Sequence, residues 1–347
     1  MSPVVADPDV VDLVDALFSA QSARQDSSPS ASSDVRLDTD FWAQLESLGL
    51  TRLTGDVASG GSGGSWLESA ALLAAAARHS VPVPVVEHDL LAGWLREEAG
   101  LAPSTRLSTA CVLDLDGTAD DVPWAGDAEE IVALWESEGR WLVASFDAAE
   151  CHVTTSRNVA GEPRGTVRID PASPSAHEVS SSLAGLFFHR GALARAVQSA
   201  AVLQEAVRLS VEHVATRTQF GRPLAAFQAV QQLIASSAAE SALCSAAVDS
   251  AIVHAVRDGW RDPDLAVRIA VARSCAAEAT AVVVANAHQV HGAIGTTMEH
   301  RLHRLTLPAL GWRTEFGTPH HWDEMLTEHA VQAGPDGLWS LILGSAT

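Results

Sequence analysis

The segment Arg217-Thr-Gln-Phe-Gly-Arg-Pro-Leu-Ala-Ala-Phe-Gln228 separates two long alanine-rich stretches of this 347-residue chain. Apolar residues recur near a 3.6-residue period over Ser182–Thr216, and a second long alanine-rich segment covers Leu224–Val256, which together predict two long helices. Glycine ends helices and proline is favoured in their first turn. We therefore expect the first helix to end at Gly221 and Pro223 to open the second, at a corner of a helical bundle.

The residue types at this corner suit a diphosphate that is joined to a flat ring. Arg217 and Arg222 provide guanidinium groups, which form bidentate contacts with phosphate. Phe220 and Phe227 offer aromatic faces, and Gln228 begins a series of neutral amides on the second helix. An alternative that the residues leave open is a solvated corner at which the arginines pair with aspartate or glutamate.

Composition limits the chemistry that this chain can perform. The chain has 22 basic and 43 acidic residues, all of the basic ones are arginine, and tyrosine is absent. Without lysine, a Schiff base to pyridoxal phosphate and a Walker-type phosphate loop are excluded. The net charge of −21 argues against nucleic acid or an anionic membrane as a partner. The four scattered cysteines favour reduced thiols and a cytoplasmic location.

Three regions of the chain differ in sequence pattern. Residues 1–101 show helical periodicity, residues 102–174 contain short β-rich runs divided by turn residues, and residues 175–347 return to long helices. The sequence thus predicts a mainly α protein in which a small β-domain separates an N-terminal helical domain from a C-terminal helical bundle.

Two further patterns have ordinary structural explanations. His288 and His291, like His300 and His303, are spaced to share a helix face and bind zinc. Neither pair has the glutamate of an HExxH motif, so we expect no metal site. Gly60–Gly64 matches the G-x-S-x-G pattern of a hydrolase nucleophile, but this pattern needs a buried strand before it, and the flanking sequence is helical. We therefore predict a flexible loop between helices at that position.

A second glycine-containing segment, Gln289-Val-His-Gly-Ala-Ile-Gly-Thr-Thr-Met-Glu299, lies further along the chain. Its glycines can let the backbone approach a ligand closely, although a plain helix C-cap would explain them alone. Together with the first segment, it resembles the R-x-Q-F-G-x-P…F-Q and Q-x-x-G-G-x-G motifs of the acyl-CoA dehydrogenase family. Asp40–Gly64 is similar to the family's N-terminal F-W-x-x-L-x-x-L-G-L…G-G-x-G sequence, so the resemblance covers nearly the whole chain.

The resemblance implies a fold, a cofactor and an oligomer. Family members have an N-terminal helical domain, a β-barrel-like middle domain and a C-terminal four-helix bundle, and they use FAD to dehydrogenate the α and β carbons of an acyl-CoA. In the family, the two C-terminal motifs bind FAD that belongs to a neighbouring subunit. The cofactor-binding residues that the resemblance implies here are Arg217, Gln219, Phe220, Phe227, Gln228, Gln289, Gly292, Thr318 and Trp124.

The sequence departs from the family's pattern where a subunit binds its own FAD and carries the catalytic base. Residues 107–121 contain no equivalent of the family's T-E-P-x-x-G-S-D motif, and Trp124-Ala-Gly126 lacks the threonine of the W-x-T motif. The family's catalytic glutamate falls on Phe316, and its alternative position falls near Gly191. Phenylalanine cannot accept a proton, so Glu315 is the candidate base of this chain.

The chain keeps the motifs that contact a neighbour's FAD and lacks those that contact its own. In this it resembles one subunit type of bacterial heterotetramers, notably those acting on sterol side chains. The sequence therefore predicts an acyl-CoA dehydrogenase subunit that completes the FAD site of a catalytic partner in an α2β2 heterotetramer. Two alternatives are a homo-oligomeric enzyme that uses Glu315 as its base and a structural subunit that binds no flavin.

Overall fold

The computed structural model describes residues 5–27, 34–170 and 176–343, in which the chain folds as two compact units. The N-terminal unit is Val5–Gly191, and the C-terminal unit begins at Ala192. The domain boundary that the sequence predicts at residue 174 lies outside the described residues, so the three predicted domains stay a prediction. The border between the two units falls within a long helix.

The N-terminal unit begins with helices. Its helical elements are α1 (Pro8–Ser27), α2 (Thr39–Ser47), α3 (Trp66–Arg78) and a π-helical turn, Val86–Gly93, that continues into α4 (Trp94–Glu98).

Short polar side chains fix where these helices start. The carboxylate of Asp38 accepts a hydrogen bond of 3.0 Å from the amide of Phe41 and so caps α2. Ser65 and Glu68 form a reciprocal capping box at the start of α3. These interactions satisfy amide groups that have no partner within the helix, which is why local sequence determines the helix starts.

The glycine-rich loop between α2 and α3 is tightly hydrogen-bonded, so the prediction of a flexible loop is wrong. The amide of Gly63 donates to the carbonyl of Gly55 at 2.9 Å, and the amide of Gly64 donates to the carbonyl of Leu53 at 2.8 Å. The hydroxyl of Ser62 donates to the carbonyl of Gly49 at 2.7 Å. Ser62 therefore serves to close the loop and lacks the strand–turn–helix setting of a hydrolase nucleophile.

Two sheets form the β-part of the N-terminal unit. One has the strand order β1-β3-β4-β7, with β1 and β3 parallel, and the other has the order β2-β6-β5 with antiparallel pairs. Apolar residues of both sheets share one core, which includes Ile131, Ala144 and Val167. The strands are β1 (Ser108–Val112), β2 (Thr118–Pro123), β3 (Glu130–Ser137), β4 (Arg140–Asp147), β5 (His152–Arg157), β6 (Pro163–Arg168) and β7 (His177–Val179).

The C-terminal unit is helical, and the prediction of a mainly α fold with a C-terminal four-helix bundle is confirmed. Its four long helices are α5 (Ser182–Thr216, whose first turns lie in the N-terminal unit), α6 (Gln228–Arg257), α7 (Pro263–His291) and α9 (Pro319–Leu343), which is kinked at Gly334. The shorter α8 (His303–Trp312) lies between α7 and α9 in the chain.

By length and composition alone, α6 could cross a membrane. It packs along α7 in the bundle and buries Cys244, Val248 and Ile252. A core helix of a bundle passes the same test of length and composition, so this feature is weak evidence for a membrane.

Replacing Gly61 with alanine is expected to destabilise the N-terminal unit. An added Cβ at this position would overlap the backbone carbonyl group of Gly55, which the loop hydrogen bonds hold in place. We expect a loss of about 1–3 kcal/mol, seen as a lower midpoint in thermal unfolding. In the control Gly185→Ala, a helical glycine with open space around it, the same change is expected to raise the midpoint slightly. Equal midpoints for Gly61→Ala and the wild type would show that the loop can open.

Candidate functional site

The corner between α5 and α6 differs from the one that the sequence predicts. The first helix ends at Thr216 and not at Gly221, and the second begins at Gln228 and not at Pro223. A short hairpin and one 3-10 turn fill the gap between them.

A two-residue turn produces this hairpin. The strands β8 (Thr218–Gln219) and β9 (Arg222–Pro223) pair antiparallel, and the connecting residues Phe220 and Gly221 have φ values of 52° and 79°. Positive φ at both positions matches the twist of the two strands and is typical of a tight hairpin turn. Helical sequence patterns do not reveal this turn, because glycine and proline also mark helix ends.

The hairpin presents the predicted cofactor-binding side chains to solvent. Phe220 is 90 % exposed and meets Phe227 edge to face, with 6.1 Å between ring centroids. The guanidinium carbon of Arg222 lies 4.1 Å from the centroid of the Phe227 ring, a cation–π distance. The other predicted contact residues of the corner are also exposed: Arg217, Gln219 and Gln228.

The glycine turn after α7 (Gly292–Thr296) is open around its first glycine and closely packed around its second. Gln289 is exposed, and Gly292 ends α7 with a φ of 63° and no described heavy atom within 4 Å of where a Cβ would lie. Gly295 is buried, and a Cβ there would lie 2.7 Å from the Cβ of His291. Gly292 is therefore required by its backbone conformation, whereas Gly295 is required by close packing.

Three histidine rings join the corner to the glycine turn. His213, in the last turn of α5, stacks on His291, with 4.5 Å between centroids and 27° between planes. His300 lies against His291 at 4.7 Å. Burial lowers the pKa of His291 to about 4, so the ring is neutral at physiological pH. No group of histidine, cysteine, aspartate or glutamate in the described part of the chain could hold a metal ion.

Glu315, the candidate base, is held by a buried arginine. The Nε of Arg195 donates to the Oε2 of Glu315 at 2.7 Å, and the two side chains are 4 % and 20 % exposed. Arg195 also donates to the Oε1 of Gln198 at 2.7 Å. An ion pair of this kind stabilises the carboxylate as an anion, which makes it a poor proton acceptor.

A second buried arginine supports the same turn. Arg273 donates to the carbonyls of Trp312 and Glu315 at 3.0 and 2.8 Å. Burial lowers its pKa to about 10, with the nearby Glu315 opposing the shift, so Arg273 remains charged at neutral pH. Sequence analysis missed Arg195 and Arg273, because the residues they hold lie far away along the chain.

The residues after Glu315 form a fixed turn into α9. Phe316 is half-buried with a φ of 51°, and the φ of Gly317 is 108°. The hydroxyl oxygen of Thr318 accepts a hydrogen bond of 3.2 Å from the amide of His321 and so caps α9. Thr318 thus has a structural role, and its predicted contact with FAD stays a prediction.

Trp124, the predicted flavin contact of the N-terminal unit, is buried. Its side chain is 5 % exposed, and it lies in the turn after β2 with a φ of 58°. At Gly126, where the family motif has threonine, an added Cβ would lie 2.7 Å from the γ-methyl carbon of Thr155. A threonine at position 126 would therefore crowd Thr155, and the predicted flavin contact of Trp124 stays a prediction.

Comparisons with known proteins agree with this architecture. Residues 182–327 match the sequence model described as the C-terminal domain of acyl-CoA dehydrogenase. The acyl-CoA dehydrogenase FadE27 of Mycobacterium tuberculosis is 26 % identical over 324 residues, which cover 82 % of this chain and 85 % of that protein.

Two solved structures share the fold. The ChsE4–ChsE5 complex of Mycobacterium tuberculosis contains a chain with a TM-score of 0.82 and 22 % identity, covering 94 % of this chain and 97 % of that one. A variant of the Tcur3481–Tcur3483 steroid ACAD gives a TM-score of 0.80 and 22 % identity, with the same coverage. The sequence matches and the common fold agree with the motifs of the helix corner and the glycine turn, and together they support this chain as a member of the acyl-CoA dehydrogenase family.

Proposed function

We propose that this chain is the completing subunit of an FAD-dependent acyl-CoA dehydrogenase. It contributes the corner and the glycine turn to FAD held largely by a partner chain, and the partner supplies the catalytic base. The observation that carries this proposal is the ion pair between Arg195 and Glu315, because it occupies the carboxylate that would otherwise be the candidate base.

The exposed corner fits one half of an FAD site. Arg217 offers a guanidinium group for the diphosphate, and Gln219 and Gln289 offer amides that can donate to or accept from ring edges. Phe220 offers an apolar ring, and the open side of Gly292 lets a ligand approach the backbone. FAD bound there would supply the acceptor for the hydride of the acyl chain's β carbon, with Arg217, Gln219 and Gln289 holding it.

The other half of the chemistry is removal of the α-proton, which requires a base within reach of the substrate. Phe316 has no proton-accepting group, and Glu315 would have to leave Arg195 before it could take up a proton. If Glu315 left, Arg195 would lose this anionic partner while its guanidinium group stayed buried, which is energetically costly. We therefore assign proton abstraction to the partner chain.

The relatives suggest the partner and the substrate. The ChsE4–ChsE5 structure is called a complex, and the Tcur3481–Tcur3483 protein, which also has a double name, is called a steroid ACAD. By analogy, we propose an α2β2 heterotetramer that acts on the acyl-CoA of a steroid side chain or a similar lipid. The composition of the chain is consistent with a cytoplasmic location.

A chain purified alone is expected to be colourless and inactive, whereas co-expression with a catalytic partner is expected to give a yellow, active complex. The reason is that residues 107–121 lack the family's T-E-P-x-x-G-S-D motif and that Glu315 is paired with Arg195. Flavin absorbance and acyl-CoA dehydrogenation with an artificial electron acceptor measure both properties. Stoichiometric flavin and turnover in the lone chain would favour the homo-oligomeric enzyme that uses Glu315.

Arg217→Ala in the assembled complex is expected to weaken FAD binding by about 10–100-fold, because a charge-assisted contact to the diphosphate is lost. Flavin release on dilution, followed by fluorescence, gives the affinity. Arg140→Ala, which removes an exposed arginine of the N-terminal unit, is the control and should leave the affinity unchanged. Unaltered flavin retention in both variants would support a purely structural subunit.

Glu315→Gln is expected to lower the free energy of unfolding by about 3 kcal/mol, since it leaves Arg195 buried without its anionic partner. Glu324→Gln removes a solvent-exposed pair with His320 and should cost at most about 1 kcal/mol. Chemical denaturation of the two variants measures the difference. A Glu315→Gln chain as stable as the Glu324→Gln control would show that the pair is not a structural requirement.

A further inference from the structure

The cluster of His213, His291 and His300 connects the two segments that the proposed function assigns to FAD. The amide of Arg217 donates to the carbonyl of His213 at 2.9 Å, so the hairpin begins directly from the histidine-bearing turn of α5. On the other side, His291 immediately precedes Gly292, and His300 follows the glycine turn. The ring stack therefore fixes the distance between segments that are remote in sequence.

The hydrogen bond of His300 requires a neutral ring, and the buried Nε2 of His291 favours one. The Nδ1 of His291 lies 2.7 Å from the carbonyl of Ala287, which can only accept, so Nδ1 carries the proton. The other nitrogen, Nε2, is buried and has no hydrogen-bond partner among the described residues. In His300, Nδ1 lies 3.2 Å from the amide of Leu302, which can only donate, so this nitrogen has no proton.

Adding a proton to either ring is therefore unfavourable. A protonated Nε2 of His291 would be a buried donor without an acceptor, and a protonated Nδ1 of His300 would lose the hydrogen bond from Leu302. The ring of His213 stacks on His291 and meets His300 edge to face at 6.5 Å. A charge on one ring would thus repel a charge on either of the others.

The groups that act on the cluster are basic. Besides burial, Arg217, just after α5, lowers the pKa of His213, and His288 of α7 lowers the pKa of His291. Arg301 and His303 act on His300 from the segment leading into α8. Acidic residues also lie close to the cluster: Glu299 directly precedes His300 in the chain, Glu212 precedes His213 and pairs with Arg208 at 3.1 Å, and Glu205 of α5 pairs with Arg301 at 3.4 Å. The basic groups add to the preference for uncharged rings.

We propose that His213, His291 and His300 are positioning residues that form an uncharged clamp, which holds the hairpin and the glycine turn in the arrangement that contacts FAD. The proposal rests on the proposed function for its ligand, but the clamp itself is a property of this chain. Protonation of the cluster is expected to open the clamp and to loosen both segments together.

The sign of the pH dependence follows from the neutral clamp. The pKa of His291 lies near 4 in the folded unit, whereas its ordinary value is 6.5, so an opened form binds more protons between these values. The clamp is therefore fully formed above about pH 6.5 and is lost as the pH falls toward about 4. Between about pH 7.5 and about pH 5.5, the population of the opened form is expected to rise about tenfold.

Hydrogen–deuterium exchange in the full chain tests this expectation without flavin. The amides of Arg217, Leu224, Gly292 and Thr297 are hydrogen-bonded and report on the two segments. After correction for the intrinsic pH dependence of exchange, we expect their protection to fall about tenfold between about pH 7.5 and about pH 5.5. Peptides from the middle of α6 serve as the internal reference and should not change.

His291→Phe keeps an aromatic ring in the stack but removes one of the three titrating groups, the one whose pKa burial lowers to about 4, so its protection should fall less with pH in this range than that of the wild type. His213→Phe is a second variant of the same kind should the first fail to fold, and His320→Phe, at an exposed site, is the control that should behave like the wild type. Constant protection in the wild type, or the same loss in His291→Phe, would overturn the clamp.

FAD retention in the complex separates this inference from the proposed function. A working clamp predicts that the affinity for FAD falls with pH in the wild type and is less dependent on pH in His291→Phe. An affinity for FAD that rises as the pH falls would show that protonated histidines attract the diphosphate, and it would overturn the proposal. If no complex binds FAD at any pH, the proposed function fails, while the exchange experiment still decides whether the clamp exists.

Discussion

The ion pair between Arg195 and Glu315 is the interaction on which the C-terminal unit depends. Burying a guanidinium group is costly, so Arg195 must have an anion and further acceptors close by, and Glu315 and Gln198 provide them. Arg273 brings a second buried cation to the carbonyls of the same turn. Two cations and one carboxylate thus fix the turn that ends in Phe316. The structural demand and the catalytic demand on this carboxylate are incompatible, because a base must be free to take up a proton.

The absence of lysine fits the way this chain uses buried cations. In the N-terminal unit, the guanidinium of Arg190 lies 4.6 Å from the centroid of Trp94 and 5.2 Å from that of Trp66. Burial lowers its pKa to about 9, yet the group remains charged at neutral pH. A lysine buried to the same degree would lose its proton more readily, and an ammonium group lacks the flat face that stacks on indole rings. Arginine is therefore the cation suited to such sites. From the composition alone, the absence of lysine only excludes certain reactions.

Sequence reasoning succeeded where the determining interactions are local and failed where they are remote. Helix starts such as that of α2 depend on a cap three residues away, so a short stretch of sequence contains the signal for them. The hairpin was not predicted, because Phe220 adopts a positive φ and phenylalanine rarely does so. The partners of Glu315 and the stack of His213 on His291 join helices that are distant in sequence, and periodicity contains no signal for such contacts.

The hairpin between α5 and α6 is costly for the chain on its own. A positive φ at Phe220 costs about 1 kcal/mol or more, and a phenylalanine ring that is 90 % exposed gains almost nothing from burial. What holds the hairpin is the short ladder, the stacking of Arg222 on Phe227 and the histidine rings behind it. None of these interactions requires Phe220 to point into solvent. Under the proposed function, a partner chain and its cofactor cover this ring, so the free energy missing from the lone chain is recovered on assembly. The incomplete FAD site and the energetically unfavourable hairpin would then both follow from sharing one site between two chains.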